Sequence, residues 1–210
     1  MTYPRVCIID GNRMYSRMFE DNGWTVVDRL QDADLVQFTG GEDVTPALYG
    51  HKAHPLSSFS ARRDEIEQEI YQNALDYGIP MAGICRGGQF LNVMNGGTML
   101  QHVDGHATGR QHLMVDVLTG EMISVTSTHH QMMQPAKSAE VIAVASESTW
   151  YDCMKEGEPV RKQAKRGEDI EVLYYHETEC LCYQPHPEFL DKTSDCQKYY
   201  FDLIQEVIGL

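Results

Sequence analysis

Cys85 stands in Gly83-Ile84-Cys85-Arg86-Gly87-Gly88-Gln89, a thiol with glycines on both sides, where the apolar run Met81-Ala82-Gly83-Ile84 gives way to a helical segment ending at Asn95-Gly96-Gly97. A sharp strand-to-helix turn lifts its central side chain above the sheet edge, and small neighbours permit both the turn and the close approach of a substrate. The N-terminus of a helix also favours a negative charge beside it, a thiolate included. Such a nucleophile needs a base, and Tyr183-Gln184-Pro185-His186-Pro187-Glu188-Phe189 offers one. In extended backbone, residues i and i+2 project to the same side, so His186 and Glu188 are expected to face one site, the carboxylate orienting the imidazole and stabilising its cation. Pro185 and Pro187 cannot donate ladder hydrogen bonds, which sets this stretch at a strand end or edge.

The elements that must position these residues follow from periodicity. Val6-Cys7-Ile8-Ile9-Asp10 predicts a buried strand, residues 13–21 a helix with Tyr15, Met18 and Phe19 on one side, and 24–27 and 34–39 two further strands. Residues 62–77 predict the most regular helix, with Ile66, Ile70, Ala74 and Tyr77 at helical spacing, Gly78 as its cap and Pro80 beyond. Strands alternating with helices indicate βαβ units, hence a three-layer α/β fold with a mostly parallel central sheet flanked by helices. Runs at 113–118, 122–127, 140–145, 170–175 and 180–184 indicate a more antiparallel extension towards the C-terminus, closed by a helix over about 194–208. The segment from Lys155 to Asp169, with the basic cluster Arg161 to Arg166, reads as a solvated excursion. Cys180 and Cys182 share one strand face opposite Leu181 and read as core, as do Met132 and Met133.

Together these motifs resemble the class I glutamine amidotransferase-like superfamily, which includes free-standing γ-glutamyl hydrolases. The Cys85 heptad looks like its Gly-x-Cys-x-Gly-x-Gln motif, and His186-Pro187-Glu188 like its His-Pro-Glu signature. Thr39-Gly40-Gly41-Glu42-Asp43-Val44 with Pro46 and Tyr49-Gly50, then Arg63-Asp64, Asn92-Val93 with Gly96-Gly97-Thr98, and Ser127-Thr128-His129-His130-Gln131 are similar to the γ-glutamyl hydrolase branch. The resemblance implies a flavodoxin-like fold, a catalytic triad of Cys85, His186 and Glu188, and an oxyanion hole from the amides of Gly41 and Arg86. It also places Gln89, Thr128, His129 and His130 near the glutamyl end of a substrate. The compact opening is closer to the amidotransferase branch, residues 146–180 match no part of the pattern, and Pro185 stands where the family more often has an aromatic.

Composition bounds the function. The chain has 210 residues, with 17 Lys+Arg against 31 Asp+Glu and a formal charge of −14, the wrong sign for a nucleic-acid binder. No apolar run reaches the roughly 18 residues of a membrane span. The length suits one domain over 1–210. The N-terminus lacks a secretory pattern and the six cysteines are too dispersed for a disulfide scaffold, so a cytoplasmic protein with free thiols is expected. Neither a metal nor an organic cofactor is required by the chemistry. Among the nine histidines, His102, His106, His112, His129 and His130 show no compact zinc-type spacing. Three functions are compatible with these residues: a glutaminase feeding ammonia to a separate ATP-dependent synthetase, a stand-alone hydrolase of γ-glutamyl conjugates, and a non-catalytic module that keeps the fold.

Overall fold

The computed structural model describes residues 3–155, 158–165 and 167–210. Met1, Thr2, Glu156, Gly157 and Arg166, which fall in the N-terminal stretch and the charged segment read above, lie outside the described residues. In chain order the elements are β1 (Arg5–Ile9), α1 (Arg13–Asp21), β2 (Thr25–Val27), β3 (Leu35–Phe38), α2 (Ala61–Tyr77), β4 (Met81–Ile84) and α3 (Arg86–Met94). Then follow β5 (Thr98–Leu100), β6 (His102–Val103), β7 (Gln111–Asp116), β8 (Met122–Thr126), β9 (Met132–Gln134), β10 (Glu140–Ala145), β11 (Trp150–Lys155), β12 (Glu158–Gln163), β13 (Ile170–Tyr175), β14 (Cys180–Tyr183) and α4 (Asp195–Leu203).

A nine-stranded sheet in the order β2-β1-β3-β4-β14-β13-β10-β7-β8 forms the centre. From β2 to β14 every pairing is parallel. From β14 outward to β8 every pairing is antiparallel, which is the extension that the later strand runs indicate. Alternation of side chains divides the core in two. Leu35 and Leu181 join Tyr15, Phe19, Tyr200 and Leu203 of α1 and α4 on one face, while Val36, Cys180 and Cys182 join Tyr71, Ala74, Phe90 and Leu91 of α2 and α3 on the other. The result is the three-layer α/β arrangement with helices on both faces of the sheet.

The differences from the sequence-based expectation have physical causes. On α2 the buried residues are Asp64, Glu67, Tyr71 and Ala74, whereas Ile66 and Tyr77 are about half exposed. Two carboxylates that find cationic partners inside the fold displace the apolar stripe from the inward side. Within the charged segment, Glu158–Gln163 form a solvated strand: β12, exposed throughout, pairs with β11, which pairs with β6 in a three-stranded sheet. A strand with no buried face carries no alternation to read. Met132 and Met133 are buried in β9, paired with β5. The last helix narrows to α4 and then continues as a π-helical turn over Ile204–Ile208.

Candidate active site

β4 and α3 meet at Cys85, whose backbone holds φ 51° and ψ −112°. Positive φ is uncommon outside glycine and costs on the order of 1–3 kcal/mol, so it persists only where the surroundings impose it. Here the Cys85 N–H donates to the Tyr183 carbonyl at 2.7 Å, and the Cys85 carbonyl accepts the Gln89 N–H at 2.9 Å. The glycines of the motif are required by space. A Cβ on Gly83 would stand 2.3 Å from the Gly87 carbonyl carbon, and one on Gly87 would stand 2.4 Å from the Phe38 oxygen. Strand and helix cross too closely for any side chain there.

Beyond β14 the chain reaches His186 at φ −107° and ψ 84°, then a 3₁₀ turn over Pro187–Phe189. The extended backbone expected through Glu188 is therefore replaced by a turn, which Pro187 favours at its first position because its φ is already set. The turn still brings the carboxylate round: His186 Nδ1 lies 2.5 Å from Glu188 Oε1. Four contacts hold His186 and its turn in place. Its main-chain N–H donates to Thr126 Oγ1 at 2.6 Å, its ring stacks on Phe189 at 4.4 Å, and Gln197 of α4 donates to the carbonyls of Pro187 and Leu190. Burial opposes charge on His186, but the nearby Cys85 and the Glu188 carboxylate outweigh burial and raise its pKa to about 10. An unfolded histidine releases its proton near 6.5. The stability this proton lends is therefore complete below pH 6.5 and is lost as pH rises towards 10.

The Gly40-Gly41 turn after β3 closes against the same imidazole: a Cβ on Gly40 would lie 2.7 Å from His186 Cε1. The Gly40 N–H donates to the Tyr15 hydroxyl at 2.9 Å. Arg63 donates Nη1 to the Gly40 carbonyl and Nη2 to the Thr39 carbonyl, both at 3.1 Å. Because a trans peptide sets its C=O and N–H on opposite sides, anchoring the Gly40 carbonyl on Arg63 turns the Gly41 N–H the other way. Arg63 Nε is held in turn by Glu67 Oε1 at 2.8 Å. Arg86, the first residue of α3, buries its guanidinium against Glu67 and Asp64. Asp64 also accepts the Thr45 N–H at 3.0 Å. Burial and the nearby charge of Arg63 bring the Arg86 pKa down to about 10, with Asp64 acting in the opposite sense.

Glu67 and Tyr15 are the site residues that sequence reasoning missed. Glu67 had a readable signal, its i,i+4 spacing from Arg63 on one helix. Tyr15 had none, since its apolar spacing describes an ordinary core residue.

Of the four residues expected near a glutamyl group, Gln89 and His129 both approach the Gln131 carbonyl. Gln89 is buried one turn along α3 from Cys85, its Nε2 within 3.3 Å of the Gln131 carbonyl and 3.2 Å of Gln184 Oε1. Thr128 is exposed. His129 is buried with its Nδ1 3.0 Å from the Gln131 carbonyl and its ring 4.6 Å from that of His106. His130 is partly exposed and pairs with Asp43 at 3.1 Å, which raises its pKa against the effect of burial.

The thiol raised on a strand-to-helix elbow and the histidine-carboxylate pair beyond the end of the adjoining strand are the candidate reactive groups of the site. Comparison with known proteins gives the following similarities. The Peptidase C26 family matches residues 19–120. A candidate glutamine amidotransferase of Mycobacterium tuberculosis is 36% identical over 132 residues, covering 54% of this chain and 43% of its own length. The glutamine amidotransferase-like protein YvdE of Lactococcus lactis is 27% identical over 219 residues, covering 97% of this chain and 88% of its own. The chain thus spans less than half of the first relative and most of the second. Among solved structures, a candidate GMP synthase subunit from Thermoplasma acidophilum superposes with a TM-score of 0.59 at 14% identity, covering 100% of this chain and 94% of that one. The chain is thus similar to glutamine amidotransferase-like proteins in sequence and to glutamine amidotransferase subunits in fold.

This geometry makes two testable demands. Glu67→Ala leaves Arg86 buried with one partner fewer and should cost about 3–5 kcal/mol in urea denaturation, with Glu67→Gln milder because it keeps an acceptor. In NMR titration the His186 ring should stay protonated well above neutrality, and Cys85→Ala should lower its midpoint. An unchanged midpoint would show that the sulfur does not hold the proton there.

Proposed function

We propose that the chain is a cysteine-dependent glutaminase that hydrolyses the γ-amide of glutamine through a glutamyl-thioester and hands the ammonia to a separate ATP-dependent synthetase. The observation that supports this reading is the strained Cys85 elbow together with the His186 Nδ1–Glu188 Oε1 contact of 2.5 Å beyond the adjoining strand. In the first step Cys85 Sγ attacks the side-chain carbonyl carbon and the carbonyl π electrons move to oxygen. The amides of Gly41 and Arg86 receive that oxyanion; the loss of one such donor typically costs about 10²–10³ in rate. The orientation of the Gly41 amide, fixed through Arg63, supports its part, and the position of Arg86 at the start of α3 supports the other.

Collapse of the intermediate breaks the C–N bond, and His186 gives its Nε2 proton to the departing ammonia. The neutral imidazole then takes a proton from water, whose oxygen attacks the thioester, and glutamate leaves with the Cys85 thiolate restored. Throughout, the Nδ1 proton stays on Glu188's side and keeps Nε2 turned to the reaction. Glutamine and water enter, glutamate and ammonia leave. None of these steps is assigned to His129, whose ring is engaged elsewhere.

The Peptidase C26 match favours a second reading, a stand-alone hydrolase of γ-glutamyl conjugates. The two differ only in the leaving amine and in the need for a partner. The synthase named for the Thermoplasma acidophilum structure supports the partner-dependent version.

A panel of γ-glutamyl compounds assayed for glutamate release, with and without candidate synthetases, separates these readings. The proposal expects free glutamine to be the preferred substrate, turnover to be slow alone and faster with the partner, and Cys85→Ala to lose all of it. Preference for a conjugate, at full rate without a partner, selects the hydrolase instead. Retained activity in Cys85→Ala would remove both.

A further inference from the structure

A second cluster of chemically capable residues lies where β7, β13 and the loops around His106 and His129 meet. His112 Nε2 lies 2.9 Å from Glu171 Oε1, His106 Nδ1 lies 3.3 Å from the same oxygen, and His129 Nε2 lies 3.8 Å from it. Glu171, on β13, is fully buried, and His106 and His129 are nearly so. Burial of this kind demands partners, yet both nitrogens of His106, Nε2 of His129 and Oε2 of Glu171 have no hydrogen-bond partner among the described residues. Several buried polar atoms without partners around one point require an explanation.

Proton placement sharpens it. The Gln131 carbonyl can only accept, so at 3.0 Å His129 Nδ1 must carry the hydrogen. Its other nitrogen, Nε2, faces the Glu171 carboxylate at 3.8 Å without a hydrogen bond. A cation placed among these atoms would give them a common partner.

We propose that His106 Nδ1, His112 Nε2 and Glu171, completed by His129 Nε2, form a binding site for a divalent transition metal of the zinc class. The donor atoms of His106, His112 and Glu171 all fall within 4.8 Å of one another. Around an ion with bonds of about 2.0–2.2 Å, tetrahedral ligands stand about 3.4 Å apart, so small side-chain movements complete the shell. Three imidazoles and one carboxylate suit zinc, cobalt or nickel, whereas magnesium and calcium prefer oxygen. The surrounding shell is of the kind that orients metal ligands. Gln131 fixes His129, and Asp169, which accepts from Thr149 N and Oγ1, lies 3.6 Å from His106 Nε2. A cavity of about 350 Å³ reaches His106 and His112 from outside, giving the ion a path.

With four protein ligands the site is structural. It ties the Thr128–Gln131 loop to β7 and β13, and the Gln131 carbonyl in that loop also contacts Gln89 on α3. The ligands come from residues 106, 112, 129 and 171, a spacing no short motif encodes.

Cobalt(II) is the probe, added to the full chain after stripping with a chelator. The site predicts one equivalent per chain, visible d–d bands of tetrahedral intensity, displacement by zinc, and a higher melting temperature. Glu171→Gln and His112→Gln should each weaken binding at least tenfold, while His102→Gln should leave it unchanged. Where a substitution prevents folding, the paramagnetically shifted ring protons of the wild-type complex decide, and they should belong to His106, His112 and His129. No stoichiometric cobalt uptake by the folded wild-type chain would overturn the proposal. So would equal uptake in the variants, or shifted resonances from other histidines.

Discussion

Two carboxylates on one helix hold the two halves of the site together. Asp64 and Glu67 of α2 receive Arg86 from the start of α3, and Glu67 also receives Arg63, which reaches the carbonyls of the turn after β3. The elbow at Cys85 and the Gly40-Gly41 turn lie on different connections, and nothing in their local sequence makes them meet. The buried ion network makes them meet. Such networks are not in themselves a large source of stability, because desolvation offsets the Coulombic gain, but removing one member leaves a buried charge unpaired. Their service here is geometric, since each arginine fork fixes the orientation of what it touches.

The same reasoning explains why the strained cysteine survives. Positive φ at Cys85 costs free energy, and the fold supplies it through the sheet hydrogen bond to Tyr183 and the first bond of α3. On the other side of the sheet, Gln197 and Phe189 hold the turn that carries His186 and Glu188. The proposed chemistry therefore rests on rigid elements: a strand-helix junction, a strand end and a clamped turn, in line with the general need to preorganise reacting groups.

Much of this was legible in the sequence. The Gly-x-Cys-x-Gly-x-Gln run and the alternation of strands and helices led to the elbow and to the parallel half of the sheet, because glycine spacing and hydrophobic period are local properties. The inward side of α2 was not legible, since its carboxylates are buried only by virtue of arginines 4 and 19 positions away from Glu67 in the chain. Nor was the turn at Pro187, because i,i+2 spacing suits a turn as well as extended backbone. The cluster that His129 joins is assembled from four separate stretches, with His106, His112 and Glu171. Non-local contacts decide such positions, and a single sequence does not display them.

The central claim is that Cys85 carries the glutamyl group during turnover. Acid quench of the working protein with isotopically labelled glutamine, followed by peptide mapping in a mass spectrometer, tests it directly. The account predicts one labelled glutamyl group on the peptide containing Cys85, absent from Cys85→Ala and from a control quenched before mixing. Steady glutamate release with label on another cysteine, or with a Cys85→Ala protein that turns over normally, would contradict it.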